Sequence, residues 1–334
     1  MKPLSQHAQF VRGLVNPEDL AVVPGTDWVI TSGLAGPSHP RGRLYLVHAR
    51  TRRHEELFPA NGTFALDRAQ FGDVDRPDMD SFTAHGIGLR EEAGGVHTLY
   101  MVNHGGRESV EVFTVDARDE KPRLTWIGAV VFPSLYRLND VAAHPQKGFV
   151  VSNLSTGNVE NFGKVFSGQP SGCVFRWIDK ERPFEIVLGS ELNAPNGVEV
   201  SADGRWCFVN SWGRKEICRL SLVEPTTAPR HASLEFLPDN LTWTQDRSYL
   251  LTTGQFGSAE TVMTSFMSAD RLGYGFQIAR IDPETLAIEI LVTYENPDEF
   301  GCASTALLVG EEVWVGTARN DGLAIFAPVA SSGT

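Results

Sequence analysis

The sequence predicts an all-β chain, a six-bladed β-propeller with a central metal-binding tunnel, in which residues 1–334 form one domain. Three observations predict it. Short β-rich runs alternate with Gly, Asp, Asn and Pro, and few helical stripes exceed two turns. The runs group into six units of common plan, strand then turn then strand, at roughly 55 residues per unit, with seven blades as the alternative count. Four units open with oxygen-bearing side chains directly before an apolar strand: PEDLAVV, RLNDVAA, APNGVEV and LPDNLTW.

The first unit runs from Glu18-Asp19 through LAVVPGTDWVITSGL and GRLYLVHAR, and the second from His85 through GIGLREEAGGVHTLYMVNHGGRESVEVFTVD. NDVAAHPQKGFVVSN with GCVFRWID makes the third, and NGVEVSADGRWCFVNSWGRKEICRLSL the fourth. The fifth is DNLTWTQDRSYLLTTG with YGFQIARIDPETL, and the sixth ASTALLVGEEVWVGTARNDGLAIF. Segments such as SADGRWCFVN and HPQKGFVVSN repeat one order of alternating strand, Gly- or Asp-bearing turn and strand. No Pro/Ser-rich linker divides the chain, and a closed ring needs all its blades.

Composition bounds the function. Hydrophobic residues make up 42% and charged residues 21%, enough for a folded core. A formal net charge of -12 argues against a nucleic-acid partner, because phosphate backbones are held by clustered Lys and Arg. No run approaches the ~18 apolar residues of a membrane span. The N-terminus lacks the apolar core and cleavage site of a secretory signal, so a cytoplasmic protein is expected. Cys173, Cys207, Cys218 and Cys302 form no CxxC pair and no zinc-like spacing with histidine, which disfavours zinc. Cys207 and Cys218 flank the Trp212-Gly213 turn of an expected hairpin and could face each other across it; two buried reduced thiols are the favoured reading.

In a propeller the blade entrances converge on one axis. Carboxylates and amides gathered there would repel or go unsatisfied without a cation. Glu18, Asn139, Asn196, Asp239 and Asn240 offer only oxygen ligands, which suits Ca²⁺, with Mg²⁺ or Mn²⁺ as alternatives. Asp19 and Asp140 point the opposite way by the period-two rule and could hold a second ion deeper in the tunnel. His85, in FTAHGIGL, and His104, in MVNHGG, open and close the first hairpin of the second unit. An imidazole at the mouth of such a tunnel can serve as general base with its neighbour as relay.

At these residues the chain resembles the serum paraoxonases and related arylesterases, within the superfamily that includes gluconolactonase and strictosidine synthase. The segments PEDLAVVPGTDWVITSGL, FTAHGIG, LYMVNH, LNDVAAH, NGVEVSADGRW, PDNLTW and VWVGTA carry the resemblance in order along nearly the whole chain. It implies a six-bladed propeller with two calcium ions in its tunnel. Glu18, Asn139, Asn196, Asp239 and Asn240 match the ligands of the catalytic calcium; Asp19, Asp140 and the backbone carbonyl of Ile87 match those of the structural one. His85 and His104 match the histidine pair proposed to activate water, and the implied activity is hydrolysis of lactones and aryl esters. Two departures stand out. The chain lacks the apolar N-terminal anchor of the serum enzymes, and it has no cysteines near its termini, so ring closure is expected to rest on strand pairing.

The segments LSTGNVENFGKVFSGQPSG and TTGQFGSAETVMTSFMSADRLG differ from the serum enzymes. The second sets Val262, Met263, Phe266 and Met267 at helical spacing after Ser258 as N-cap. It reads as an apolar lid, as a helix packed on the blade edges or as a membrane-touching helix.

The expected function is calcium-dependent hydrolysis of a lactone or ester substrate, the metal polarising the carbonyl. His85 assisted by His104, or Glu18 or Asp239, would activate water; Asp239 could also attack directly. The rivals are a binding propeller that keeps calcium for structure, and an isomerase or lyase on the same metal site. Neither G-x-S-x-G nor H-E-x-x-H occurs, which disfavours a serine hydrolase of that class and a zincin.

Overall fold

The computed structural model describes residues 1–157, 159–267 and 273–329. Six antiparallel sheets form the blades of a propeller, and each expected unit supplies one of them. The innermost strands, in order around the ring, are Pro17–Val22, Ala84–Arg90, Tyr136–Ala143, Pro195–Val200, Leu237–Trp243 and Ala303–Val309. Blade 2 carries a short fifth strand, Thr63–Phe64, parallel to its outer edge.

Ring closure is made by hydrogen bonds between the two ends of the chain. The last unit builds only three strands of blade 6, and Gln9–Val15 fills the outer place against Asp321–Phe326, with Val11 opposite Leu323. Beyond it, Ser5 N–H donates to the Ala327 carbonyl and Val329 N–H to that of Pro3. Every edge that the ring could open by is thus paired.

The core lies between blades. Phe58 of blade 1 meets Phe82 and Phe113 edge-on at 5.2 and 5.0 Å, beside Trp126, while Tyr100, Phe149 and Trp177 pack blade 2 on blade 3. Leu14 and Trp314, from the closing blade, pack on Val29 and Val47 of blade 1. Hydrophobic strand faces are therefore consumed by neighbouring blades, and the axis is left to the polar residues at the strand entrances.

One local feature recurs in all six inner strands. Pro17 pairs with Gly33 and Leu20 with Thr31, so three steps on the inner strand oppose two on its neighbour. The same irregularity falls between Ala84 and Ile87, Leu138 and Val141, Pro195 and Val198, Pro238 and Leu241, and Ala303 and Ala306. This is a β-bulge, which turns the strand and re-aims its side chains. The residues inside the six bulges are Glu18-Asp19, His85-Gly86, Asn139-Asp140, Asn196-Gly197, Asp239-Asn240 and Ser304-Thr305.

Helices α1 (Val159–Ser167) and α2 (Ala259–Met267) stand in the two long connections over one end of the axis. Ser258 caps α2, its Oγ accepting from Thr261 N–H at 3.2 Å, as the sequence predicts. Val262 is buried against Val165, Trp212 and Leu237, so α2 packs on the blades, and Met263 and Phe266 also line the cavity beneath. The Met267 side chain and residues 268–272 of the same segment lie outside the described residues. Among the described residues no helix is long and apolar enough to cross a membrane.

The four cysteines are buried and none is in a disulfide. Cys207 and Cys218 do not face each other as the symmetric turn suggested. The hairpin closes between Ser211 and Glu216, which sets Cys207 opposite Leu220 and Cys218 opposite Val209, a diagonal pair.

Leu14→Ala should lower the unfolding free energy by about 2–5 kcal/mol, because it empties the seam where the closing blade meets the first. Val131→Ala, at a position 48% exposed, should change it by less than about 0.5 kcal/mol. Denaturant unfolding of both variants measures this, and equal small effects would show that the ring does not depend on that seam.

Candidate functional site

The bulges deliver two consecutive residues per blade to the axis. A cavity of about 800 Å³ opens at one end, lined by Glu18, His85, Asn139, Asn196 and Asp239. A second, of about 530 Å³, opens at the other end and is lined by Asp19 and Ile87. First positions of five of the six bulges thus line one cavity, and Asp19 lines the other, because the bulge re-aims both residues.

Two glycines make this crowding sterically feasible. A Cβ on Gly86 would lie 2.5 Å from the Asp140 carboxylate, and one on Gly197 would lie 2.5 Å from the Asp239 carbonyl. Blades 2 and 4 therefore carry glycine at the second bulge position because blades 3 and 5 occupy the space.

Asp19 and Asp140 work as staples between blades. Asp19 accepts from Leu20 N–H at 2.8 Å and from Ile87 N–H of blade 2 at 2.7 Å. Asp140 repeats the pattern, accepting from Val141 N–H at 2.7 Å and from Val198 N–H of blade 4 at 2.8 Å. Ile87 thus meets Asp19 through its N–H. Each of these carboxylate oxygens has a donor already.

The other set differs. Glu18 Oε1 accepts from Asn240 Nδ2 at 2.8 Å, and Asp239 Oδ2 accepts from Gln255 Nε2 at 2.7 Å. Glu18 Oε2, Asn139 Oδ1, Asn196 Oδ1 and Asn240 Oδ1 are buried and accept no hydrogen bond. An unsatisfied buried acceptor costs about 1–3 kcal/mol, so four on one axis mark a place built for a positive partner. All four belong to the set expected from sequence, and with Asp239 they form an all-oxygen donor group that fits a hard cation such as calcium.

Electrostatics agrees with the orphaned oxygens. Burial, then the charges of Asp19, Asp239 and Asp140, push Glu18 well above the usual carboxylate range. Burial pushes Asp239 up to about 7, against the opposing hydrogen bonds from Gln255 and Asn196. Asp19 rises to about 6 by burial, against Ile87 and Leu20 N–H, and Asp140 rises well above its ordinary value by burial and by Asp19. Like charges taken out of water repel, and a cation among them removes the penalty.

The two histidines meet, and a third residue joins them. His85 Nδ1 is 2.8 Å from His104 Nε2, and His104 Nδ1 lies 3.0 Å from Glu108 Oε2. Glu108 Oε1 also accepts from Leu138 N–H at 2.6 Å. A carboxylate in this position accepts from His104 Nδ1–H, so His104 Nε2 accepts from His85 Nδ1–H. The chain of bonds leaves the lone pair on His85 Nε2, which lies 3.9 Å from Glu18 Oε1 at the cavity floor. Burial, and then the neighbouring His104, hold the His85 pKa well below the usual imidazole value, so it is neutral at pH 7.

Glu108, Gln255 and the Ser304-Thr305 pair are the residues that the motifs missed. Ser304 Oγ donates to the Glu18 carbonyl at 2.6 Å and completes the ring of six bulges. The only sequence signal for it is its place before the sixth apolar run. Glu108 stands four residues after His104, beyond the end of the segment that drew attention to the histidine.

Above the floor the cavity wall is apolar, with Leu34, Leu154, Phe162, Trp212, Met263 and Phe266, and Arg137 and Arg319 stand among them.

Comparison with known proteins follows from this geometry. The family model described as Arylesterase matches residues 4–255. A luciferin-regenerating enzyme of known structure covers 98% of both chains at 12% identity, with a TM-score of 0.57. A gluconolactonase from Xanthomonas campestris is 15% identical over 98% of this chain and 95% of its own, with a TM-score of 0.56. A protein of unknown function from Bacteroides thetaiotaomicron is 11% identical over 97% of this chain and 73% of its own, at 0.58. At such identities these likenesses concern the fold. No curated protein matches the chain in sequence.

With chelator present, stability should depend on pH in a defined direction. Asp19 and Asp239 hold protons in the folded chain up to about 6 and about 7, whereas unfolded Asp releases them near about 3.9. Their contribution is full below the unfolded value and is lost as pH rises through the folded ones. The melting temperature of chelated protein should therefore fall between pH 5 and pH 8, and Asp239→Asn should flatten the fall. A curve rising across that window in the parent and unchanged in the variant would contradict the crowding.

Proposed function

This chain belongs to the arylesterase family, and on that premise we propose that it hydrolyses lactones or aryl esters with a calcium ion held by Glu18, Asn139, Asn196, Asp239 and Asn240. Magnesium or manganese could take the same place, and Asp19, Asp140 and the Ile87 carbonyl would hold a second, structural calcium. The single observation that carries the proposal is the coincidence of four orphaned oxygens with a histidine whose lone pair is aimed beside them. When bound, the catalytic ion would polarise the carbonyl of the scissile bond and offset the charge that builds on its oxygen.

The chain's own residues would do the rest. The apolar wall holds the acyl or aryl part of the substrate and excludes water from it. His85 Nε2 takes a proton from the attacking water, and as the imidazole becomes positive its Nδ1–H bond to His104 strengthens. His104 passes the polarisation to Glu108, whose carboxylate is held in place by Leu138 N–H. The proton then goes to the departing alkoxide or phenoxide, giving an acid and an alcohol, or a hydroxy acid from a lactone. Gln255 occupies one oxygen of Asp239, which favours His85 over Asp239 as the base. The four thiols, buried and unbridged, are consistent with the cytoplasmic location that the proposal adopts.

The binding-module rival is separated by turnover. Purified protein should hydrolyse members of a lactone and aryl-ester panel, lose the activity in chelator and regain it with calcium. His85→Ala should reduce kcat by about 10²–10⁴-fold without loss of bound calcium. Asp239→Ala and Asn240→Ala should lose both activity and metal. Full rates in chelator or in Asp239→Ala would refute the metal-assisted reading. Because His85 is already neutral, the acid limb of the rate profile should fall below pH 6.5; an acid limb above that value would exclude His85 as the base.

Calcium at a hundredfold excess over its dissociation constant should add about 2.7 kcal/mol to stability. Glu18→Gln should abolish that increment while raising the melting temperature of the chelated protein, since it removes a carboxyl whose ionisation the buried, acidic axis opposes. Melts of parent and variant with and without calcium measure both effects.

A further inference from the structure

Away from the axis, on the rim of blade 4, three side chains of different donor type converge. In the strand Glu216–Ser221 the two-residue period puts Glu216 and Cys218 on one face. The outermost strand of the blade, Arg230–Ser233, pairs with it so that His231 stands opposite Cys218. Cys218 Sγ lies 3.0 Å from His231 Nδ1, and His231 Nδ1 lies 3.8 Å from Glu216 Oε2. All three donor atoms fall within 4.8 Å of one another.

We propose that Glu216, Cys218 and His231 form a further metal site, away from the axis, for a divalent ion of the zinc class, with its remaining position open to water. Zinc bonds of about 2.3 Å to sulfur and about 2.0–2.1 Å to nitrogen or oxygen hold tetrahedral ligands roughly 3.5 Å apart. The two separations at His231, 3.0 and 3.8 Å, lie either side of that spacing and the third is within 4.8 Å, so side-chain rotation of the partly exposed Glu216 and His231 closes the triangle on one centre.

Donor chemistry separates this site from the axial one. A thiolate and an imidazole select borderline-soft ions, whereas the axial oxygens select hard ones, so the two sites would not compete for the same metal. Access is also built in. His231 has a side chain 43% exposed and Glu216 one 21% exposed, while Cys218 is fully buried, so an ion would enter from solvent and meet the sulfur last. Binding forms a sulfur–metal bond as the thiol proton leaves to water. The burial that now holds the thiol proton, with the pKa up at about 12, sets the cost of that exchange. Arg214, 3.6 Å from Glu216 and half-exposed, can swing away from the carboxylate as the ion arrives.

The structural consequence is a clamp. Arg230–Ser233 is only four residues long and largely exposed, and it is the free edge of its sheet. An ion shared by Cys218 and His231 ties that edge to the strand inside it.

Cobalt(II) tests the site, because a cobalt–thiolate bond has a near-ultraviolet charge-transfer band that oxygen ligands do not give. Titrated into the full-length protein in excess calcium, cobalt(II) should produce this band at one equivalent, and zinc should displace it. Cys218→Ser should remove the band. His231→Ala, at a partly exposed position that leaves the core intact, and Glu216→Gln should each weaken binding at least tenfold. Zinc should raise the melting temperature of the parent and not of His231→Ala. Absence of the band in the parent, or a band of unchanged affinity in His231→Ala, would overturn the assignment.

Discussion

In each inner strand one residue more than the neighbouring strand can pair with is inserted at the same height, and the two residues inside that bulge meet those of the other five blades on the axis. A regular strand would alternate, sending one of each pair between the blades into the apolar packing. The bulge lets both be polar. Asp239 and Asn240 are adjacent in sequence, yet Asp239 lines the larger cavity and Asn240 reaches the Glu18 carboxylate across the ring. Glycine at 86 and 197 follows from the same constraint, since a side chain there would collide with the facing bulge.

From this geometry comes an electrostatic division of labour. Asp19 and Asp140 each take one N–H from their own strand and one from the next blade, so they join blades 1 to 2 and 3 to 4 whatever else is bound. Glu18, Asn139, Asn196 and Asn240 each keep an oxygen with no donor. The first pair supports the ring; the second group leaves it short of positive charge. An axis of this kind is stable only if protons or a cation supply what is missing, which is why the raised carboxylate pKa values and the unsatisfied amide oxygens occur at the same place.

Much of this was legible in the chain because the bulge forces a visible pattern: a polar pair interrupting an apolar strand three times over, and Asn-Gly in the same place a fourth. The six units and the histidine pair were readable for the same reason. What the sequence hid is contact across strands whose register depends on turn length. Glu108 meets His104 only because the hairpin between them is tight, and Ser304-Thr305, being small and uncharged, looks like any strand entrance. Counting from Trp212-Gly213 allows Cys207 to face Cys218, but pairing of Ser211 with Glu216 moves the centre of the turn by one residue and shifts every partner. The next strand pair, with its own register, places His231 against Cys218, thirteen residues away and outside any familiar zinc spacing.

The roof of the cavity obeys a different rule. The floor is fixed by six strands that must close a ring, so its residues answer to geometry shared by the whole fold. Helices α1 and α2 lie in connections that the ring does not constrain, and they touch the blades through Val165, Val262 and Trp212 while turning Phe162, Met263 and Phe266 toward the cavity. A change among the latter three alters the cavity wall without disturbing an inter-blade contact. Floor and roof are therefore carried by separate parts of the chain, the one held by the closure of the ring and the other free to vary in length and sequence.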